Sequence, residues 1–170
     1  GADNTSALAV GGNTPPVTGV VELWNGSNWT EVNDLNDSRE WPAVAGVAPA
    51  AVAFGGQSPG YTANTESWNG TNWTEVNNLN TARAYMAGAG TYTSALGFGG
   101  SYPPSVEAAQ TEDWNGVSWQ ETTDMSTGRY GLGGAGTSAT AVAFGGYTST
   151  SVANTEEWNN PSTVIKTLTD

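Results

Sequence analysis

The amino-acid sequence predicts an all-β fold built from four copies of one antiparallel unit. One marker is a Gly-Gly pair, which occurs at 11-12, 55-56, 99-100 and 145-146. A second marker is a tryptophan with nearly the same spacing, at Trp24, Trp68, Trp114 and Trp158. Two markers that share a period of about 40 to 50 residues are typical of propeller blades or of a solenoid.

Each copy contains four short segments that predict strands. In the third copy these segments are 85–91 (YMAGAGT), 94–100 (SALGFGG), 109–116 (AQTEDWNG) and 118–123 (SWQETT). They are short, they alternate with period 2, and turn residues separate them, so they indicate strands. No part of the chain has a sustained apolar stripe with a period of 3.6 residues, so we expect almost no helix.

Glycines occur in the turns and at the ends of the predicted strands. Asn-Gly at 25-26, 69-70 and 115-116 lies between the third and fourth strands, and this pair favours a tight type I′ hairpin. Gly-Gly ends the second strand, where it permits a backbone turn or a close approach that a Cβ would block. The loop that follows Gly-Gly differs in every copy, so these loops are where a binding site would be expected.

The recurring tryptophans are interpreted as core between stacked sheets, because every sheet needs the same packing. A row of sugar-stacking platforms is the alternative interpretation. The third-strand residues are Trp24, Trp68, Trp114 and Trp158, and the fourth-strand residues are Trp29, Trp73 and Trp119.

Charged residues also recur in register and predict structural ion pairs. A glutamate lies two residues before each third-strand tryptophan, at Glu22, Glu66, Glu112 and Glu156. Three of the four basic residues precede a first strand, namely Arg39, Arg83 and Arg129. Guanidinium and carboxylate groups match in a bidentate fork, so we expect Glu–Arg pairs that link strands or neighbouring units.

With these marks in place, the chain resembles kelch-type β-propeller repeats. The matching motifs are a strand ending in Gly-Gly, the segments VELWNG, TESWNG, TEDWNG and TEEWNN, and a later tryptophan in NWTEVN or SWQETT. These repeat sequences are similar to kelch-like repeats of phage and marine bacterial proteins. The resemblance implies four-stranded blades whose glycine-rich first strand is innermost, and a binding or structural scaffold more often than an enzyme. The enzymatic galactose-oxidase branch of the family needs His and Tyr/Cys copper ligands. Because this chain has no His or Cys, the resemblance does not extend to that branch.

We expect one domain over residues 1-170, with repeats at about 1-37, 38-81, 82-127 and 128-170. The favoured architecture is a closed ring of four blades. The alternatives are half of an eight-bladed ring formed by two chains, and a fragment of a longer propeller. The last predicted strand, 162–168, lacks the repeated tryptophan. The first copy lacks most of its inner strand, which leaves an open strand edge through which the chain could self-associate.

Composition excludes several classes of function. Sixteen acidic residues against four basic ones give a net charge of -12, which disfavours nucleic acid as a partner. The chain has no run of about 18 apolar residues, so we expect no membrane insertion. The chain has no Cys or His and no spaced calcium-loop motif, so we predict no metal, no cofactor and no enzymatic activity. Richness in Gly, Thr, Asn, Ser and Ala suggests an extracellular or virion-surface protein.

The predicted function is that of a non-enzymatic structural or adhesive module that contacts a protein or glycan through its variable loops. A lectin-like carbohydrate-binding propeller is the alternative, and a carboxylate-based hydrolase is the least favoured. Aromatic side chains in or near these loops offer broad contact area at low entropic cost. The candidate binding residues are Tyr61, Tyr102, Tyr147 and Trp41.

Overall fold

The computed structural model describes residues 5–160, and this part of the chain is all-β, with sixteen strands and no helix. The strands are β1 Ala7–Asn13, β2 Val17–Trp24, β3 Trp29–Val32, β4 Ala43–Val47, β5 Ala50–Phe54, β6 Thr65–Trp68, β7 Trp73–Val76, β8 Ala87–Thr91, β9 Ser94–Phe98, β10 Ser101–Tyr102, β11 Val106–Glu107, β12 Thr111–Trp114, β13 Trp119–Glu121, β14 Gly133–Gly136, β15 Thr140–Phe144 and β16 Thr155–Asn159.

The strands form one antiparallel sheet per repeat. The first sheet is β1-β2-β3, the second β4-β5-β6-β7, the third β8-β9-β12-β13 and the fourth β14-β15-β16. Strands β10 and β11 form a small hairpin in the loop after Gly100. The all-β antiparallel prediction is therefore confirmed. The strand predicted at 162–168 lies outside the described residues, as does the start of the first repeat.

Consecutive sheets lie against one another in chain order. The glycine-rich strands β4 and β8 are in contact, as are β8 and β14, and β1 contacts β4. Buried apolar residues of both partners fill each of the three junctions between successive sheets. Within residues 5–160, no contact of similar extent joins β1 to β14. Closure of the sheets into a ring therefore stays a prediction.

The hairpins at the three Asn-Gly pairs differ from the predicted type I′ turn. Trp24 pairs with Trp29 across a four-residue loop, and of the Asn25-Gly26 pair only the glycine has a positive φ, of 94°. The Asn25 side chain explains the difference, because its Oδ1 accepts the backbone N–H groups of Ser27 and Asn28, each at 3.0 Å. The asparagine thus closes the loop with its side chain and needs no left-handed backbone.

The tryptophans of the second and third sheets form the centre of the core. Trp68 and Trp114 are each 1% exposed, and their fourth-strand partners Trp73 and Trp119 are also buried. In three sheets the third-strand indole Nε1 donates to a carbonyl in the turn between the first and second strands. The pairs are Trp68 to Ala48 at 2.7 Å, Trp114 to Tyr92 at 3.0 Å and Trp158 to Ser138 at 3.1 Å.

The tryptophans of the outer sheets differ from the expectation of burial. Trp29 is 48% exposed, whereas Trp24 and Trp158 are half-buried. The physical reason is the position of each sheet in the array. The first and fourth sheets each have one neighbouring sheet among the described residues to cover their tryptophans, whereas the second and third sheets have two.

Three arginines link the segment before a first strand to a glutamate on the third strand of the same sheet. The Nη–Oε distances are 2.7 Å for Arg39–Glu66, 2.7 Å for Arg83–Glu112 and 2.5 Å for Arg129–Glu156. Burial lowers the pKa of the Arg39 and Arg83 guanidinium groups, and the charge of the facing glutamate opposes that shift. Glu22 is exposed, and no arginine of the described chain pairs with it.

Within residues 5–160, no helix is long and apolar enough to cross a membrane.

Candidate binding surface

A continuous line of aromatic rings crosses three repeats near the Gly-Gly loops. It consists of Trp41, Tyr85, Tyr130 and Tyr147, here called the aromatic row. Trp41 stacks on Tyr85 with centroids 4.3 Å apart and ring planes at 26°. Tyr85 contacts Tyr130 at 5.8 Å, and Tyr130 contacts Tyr147 at 5.3 Å. The two ends of the row are exposed, at 44% for Trp41 and 39% for Tyr147.

Backbone pairing places the row beside the loops. In the second, third and fourth copies, the residue after the Gly-Gly pair forms a single antiparallel bridge with a residue just ahead of a first strand, as in Ala84–Ser101 and Tyr130–Tyr147. In the Tyr130–Tyr147 bridge the N···O distances are 3.1 and 2.9 Å. Because the bridge holds the two backbones opposite each other, the ring contact between Tyr130 and Tyr147 follows from the local fold.

Trp41 and Tyr85 have left-handed backbone conformations, with φ of 53° and 58°. The fourth copy has Gly131 at the same repeat position, with φ of 63°. A large side chain in this region is unfavourable by roughly 1 to 2 kcal/mol, so glycine would be the ordinary choice. Backbone strain of this kind clusters at functional sites, and here it is retained where the two stacked rings lie.

The Gly-Gly pairs fix the loops against this segment. Gly100 has a φ of 97°, and a Cβ added to it would lie 2.6 Å from the Ala84 carbonyl oxygen. Gly56 repeats the arrangement, with 2.9 Å to the Glu40 carbonyl oxygen. Side chains are therefore excluded at both positions, and the loop backbone reaches the base of the row.

Tyr61 and Glu40 line the row near Tyr85. The Tyr61 hydroxyl lies 3.2 Å from Ser101 Oγ. Glu40 is buried and accepts a 2.7 Å hydrogen bond from Asn13 Nδ2. Burial raises the pKa of the Tyr85 hydroxyl, and its neighbours Tyr61, Glu40 and Tyr130 raise it further.

The raised pKa of Tyr85 can be measured directly. In an absorbance titration, the wild type should show a phenolate component above the ordinary tyrosine pKa of about 10, and Tyr85→Phe should lack it. The pKa of Tyr85 is higher in the folded than in the unfolded state, so the stability linked to its neutral hydroxyl is fully present below a pH of about 10. It is lost as the pH rises through the folded value. A Tyr85→Phe difference spectrum with its midpoint at or below the ordinary value would contradict the assignment.

The predicted binding residues do not all belong to one surface. Trp41 and Tyr147 are the ends of the row, and Tyr61 lies beside it. Tyr102 instead lies in the β10–β11 hairpin, half-buried, and makes no ring contact with the row within the described chain.

Sequence reasoning missed Tyr85 and Tyr130. The available signal was that Trp41 and Tyr85 hold the same repeat position, which marks an aromatic pair outside the tryptophan positions of the core.

The chain is acidic, with a net charge of -12. All three arginines of the described chain are buried in ion pairs, and Lys166 lies outside the described residues. Among the described residues, the aromatic row therefore has no exposed arginine that could receive a phosphate, sulfate or carboxylate group. Within residues 5–160, no group of three or more acidic residues is placed to hold a metal ion.

A cavity between the third and fourth sheets lies away from the row. Its lining includes Phe98, Met125 and Trp158 together with Asp124 and Glu156. Both carboxylates already have partners, since Asp124 accepts the Thr111 N–H and Glu156 accepts from Arg129. This cavity is a gap in the packing between sheets, and the aromatic row remains the better candidate surface.

No protein-family model matches the chain, and no curated protein matches it with significant sequence similarity.

Proposed function

We propose that the chain is a non-enzymatic adhesive module of kelch-like propeller repeats that binds neutral glycan with its aromatic row. The propeller arrangement is supported by the sheets themselves. The two complete sheets have the strand order expected for a blade, and the glycine-rich strands of successive sheets are neighbours. Composition supports an extracellular or virion surface as the place where such a module acts.

We infer that the proposed ring contains more than these four sheets. In a closed ring of one chain, the outer faces of the first and fourth sheets would cover each other. Trp29 on the first sheet and Phe144 on the fourth are 48% and 47% exposed. These exposures favour the alternative in which two chains complete one ring.

The observation that carries the glycan proposal is the stacked, exposed Trp41. Its ring is held by Tyr85 at 4.3 Å and still remains 44% exposed. A rigid indole with an apolar face and a polar N–H suits a sugar ring, which has apolar C–H faces and polar edges. The ligand is proposed to be neutral because the chain is acidic and its described arginines are buried.

The proposal gives no catalytic role to the two buried recurring glutamates, because both have structural partners. Glu112 accepts from Arg83, from the Asn80 backbone N–H at 2.7 Å and from Asn80 Nδ2 at 2.9 Å. Glu66 is held in the same way by Arg39 and Asn36. Buried carboxylates whose oxygens are already bonded to protein donors have no free face toward a substrate, so they are poor candidates for a general base.

A glycan array tests the proposal. The wild type is expected to bind neutral glycans in preference to sialylated or sulfated ones. Trp41→Ala should lose at least about tenfold in affinity, the scale of one aromatic contact. Val117→Ala is the matched control, since Val117 is exposed at a distant hairpin. Absence of binding to any neutral glycan at millimolar concentration would overturn the proposal.

A protein surface is the second candidate partner, favoured by the continuous contact of Tyr85, Tyr130 and Tyr147. Tyrosine-rich surfaces are typical of protein recognition. Binding to a panel of glycoproteins before and after enzymatic deglycosylation separates the two partners. Loss of binding after deglycosylation supports glycan, and unchanged binding supports protein.

A further inference from the structure

The contact between the second and third sheets has a defined pair of aromatic residues. The ring of Phe54 on β5 lies 4.6 Å from the ring of Trp119 on β13, at an angle of 57°. The Trp119 Nε1 donates a 3.1 Å hydrogen bond to Thr65 Oγ1. Thr65 is the cross-strand partner of Phe54, and all three residues are buried.

The fourth sheet has the Phe–Thr half of this contact without its tryptophan. Phe144 on β15 pairs across the ladder with Thr155 on β16, in the register of Phe54 and Thr65. Both residues are exposed, and Phe144 is 47% exposed. Phe144 is therefore a large apolar side chain on a sheet face that no other sheet of the described residues covers.

The first sheet has the tryptophan half of the contact. Trp29 pairs with Trp24 across its hairpin as Trp119 pairs with Trp114, so Trp29 and Trp119 hold the same repeat position. Trp119 is buried against the preceding sheet, whereas Trp29 is 48% exposed. The two ends of the array thus carry complementary halves of a contact that the chain already makes internally.

We propose that a second copy of this chain docks head to tail, with Trp29 of one copy against Phe144 of the other. The Trp29 Nε1 of one copy then donates to Thr155 Oγ1 of the other, as Trp119 does to Thr65. The receiving face fits a phenylalanine, because Ala9 of the first sheet holds the repeat position of Ala143, which packs with Phe98 in the junction of the third and fourth sheets.

This contact joins two different surfaces, so its symmetry is heterologous. Two copies that make the contact twice close a ring of eight sheets, and copies that do not close continue as a filament. Each copy has a net charge of -12, so like charges oppose the association. Added salt screens that repulsion, so it should strengthen the association. The inference does not depend on glycan binding, because the aromatic row and the two ends share no residue.

Sedimentation velocity at low and high salt tests the inference with the chain alone. The wild type should form a dimer or larger species, more so at high salt. Phe144→Asp and Trp29→Asp should each weaken association by at least about 30-fold. An equimolar mixture of the two variants should form a heterodimer, because each variant keeps the end that the other lacks. Val117→Asp, at a position 68% exposed, should behave as the wild type.

Several results would overturn the inference. One is a wild type that stays monomeric at millimolar protein and high salt, and another is association that survives both substitutions. A mixture of the two variants that remains monomeric would show that the two ends do not bind each other. Circular dichroism of each variant checks its fold, and since both substituted residues are exposed, the spectra should match the wild type.

Discussion

Arg83→Ala is expected to lower the free energy of unfolding by about 3 to 5 kcal/mol, which is a large share of the 5 to 15 kcal/mol typical of a domain. Arg83 and Glu112 are fully buried and 2.7 Å apart. Arg83 Nη1 also donates to the carbonyl oxygens of Gly99 and Gln110, at 2.8 and 2.7 Å. Truncation leaves a buried carboxylate without its charge partner and leaves both carbonyls without that donor. Urea denaturation monitored by tryptophan fluorescence measures the loss.

Two further variants show whether the uncompensated charge causes the loss. Arg129→Ala removes the equivalent cation, but its partner Glu156 is 24% exposed and also accepts from Ser126. Water can therefore solvate Glu156, and the loss should be clearly smaller. Arg83→Met with Glu112→Leu removes both charges and should recover part of the stability lost in Arg83→Ala. Recovery is incomplete because the Gly99 and Gln110 carbonyls and the two Asn80 donors still lose a partner. Equal losses at Arg83 and Arg129 would contradict this account.

The repeat and its strands were predictable because their signals are local and occur several times. In the third copy, β8 and β9 lie within the segments predicted from alternation and from the Gly-Gly pair. The positions of the hairpins were also predictable, since the loop asparagine and glycine recur. The turn type was not, because a side-chain acceptor such as Asn25 Oδ1 satisfies the loop as well as a left-handed asparagine would.

Burial at the ends of the array could not be read from the repeat. Trp29 and Trp119 occupy one repeat position, yet one is exposed and the other is buried. A repeat pattern specifies which face a residue points to, whereas burial depends on whether another sheet covers that face. The sequence contains the first kind of information in every copy and the second kind only in the assembled fold.

The aromatic row was predictable only in part. Trp41 and Tyr147 stand out in the sequence as aromatic residues at or near variable loops. Their connection through Tyr85 and Tyr130 depends on bridges between residues 17 apart and on contacts between neighbouring sheets. Such contacts have no local sequence signal, because side-chain direction near a left-handed residue follows from backbone conformation and not from strand alternation.

Trp68→Ala is expected to destabilise the fold by about 3 to 5 kcal/mol. The indole is 1% exposed and lies 5.3 Å from the Trp73 ring, at the junction of the first and second sheets. Its removal opens a cavity in that junction and leaves the Ala48 carbonyl without its 2.7 Å donor. Thermal and urea unfolding both measure the change.

Trp158→Ala is the matched control, because Trp158 holds the same repeat position in the fourth sheet but is only half-buried. Its loss should be smaller, although its Nε1 also donates to a turn carbonyl. A Trp68→Ala loss no greater than that of Trp158→Ala would contradict the interior role of Trp68. The urea m-value adds a second criterion, since it scales with the surface exposed on unfolding. An unchanged m-value means that all four sheets unfold together, whereas a reduced one means that a single junction opens first.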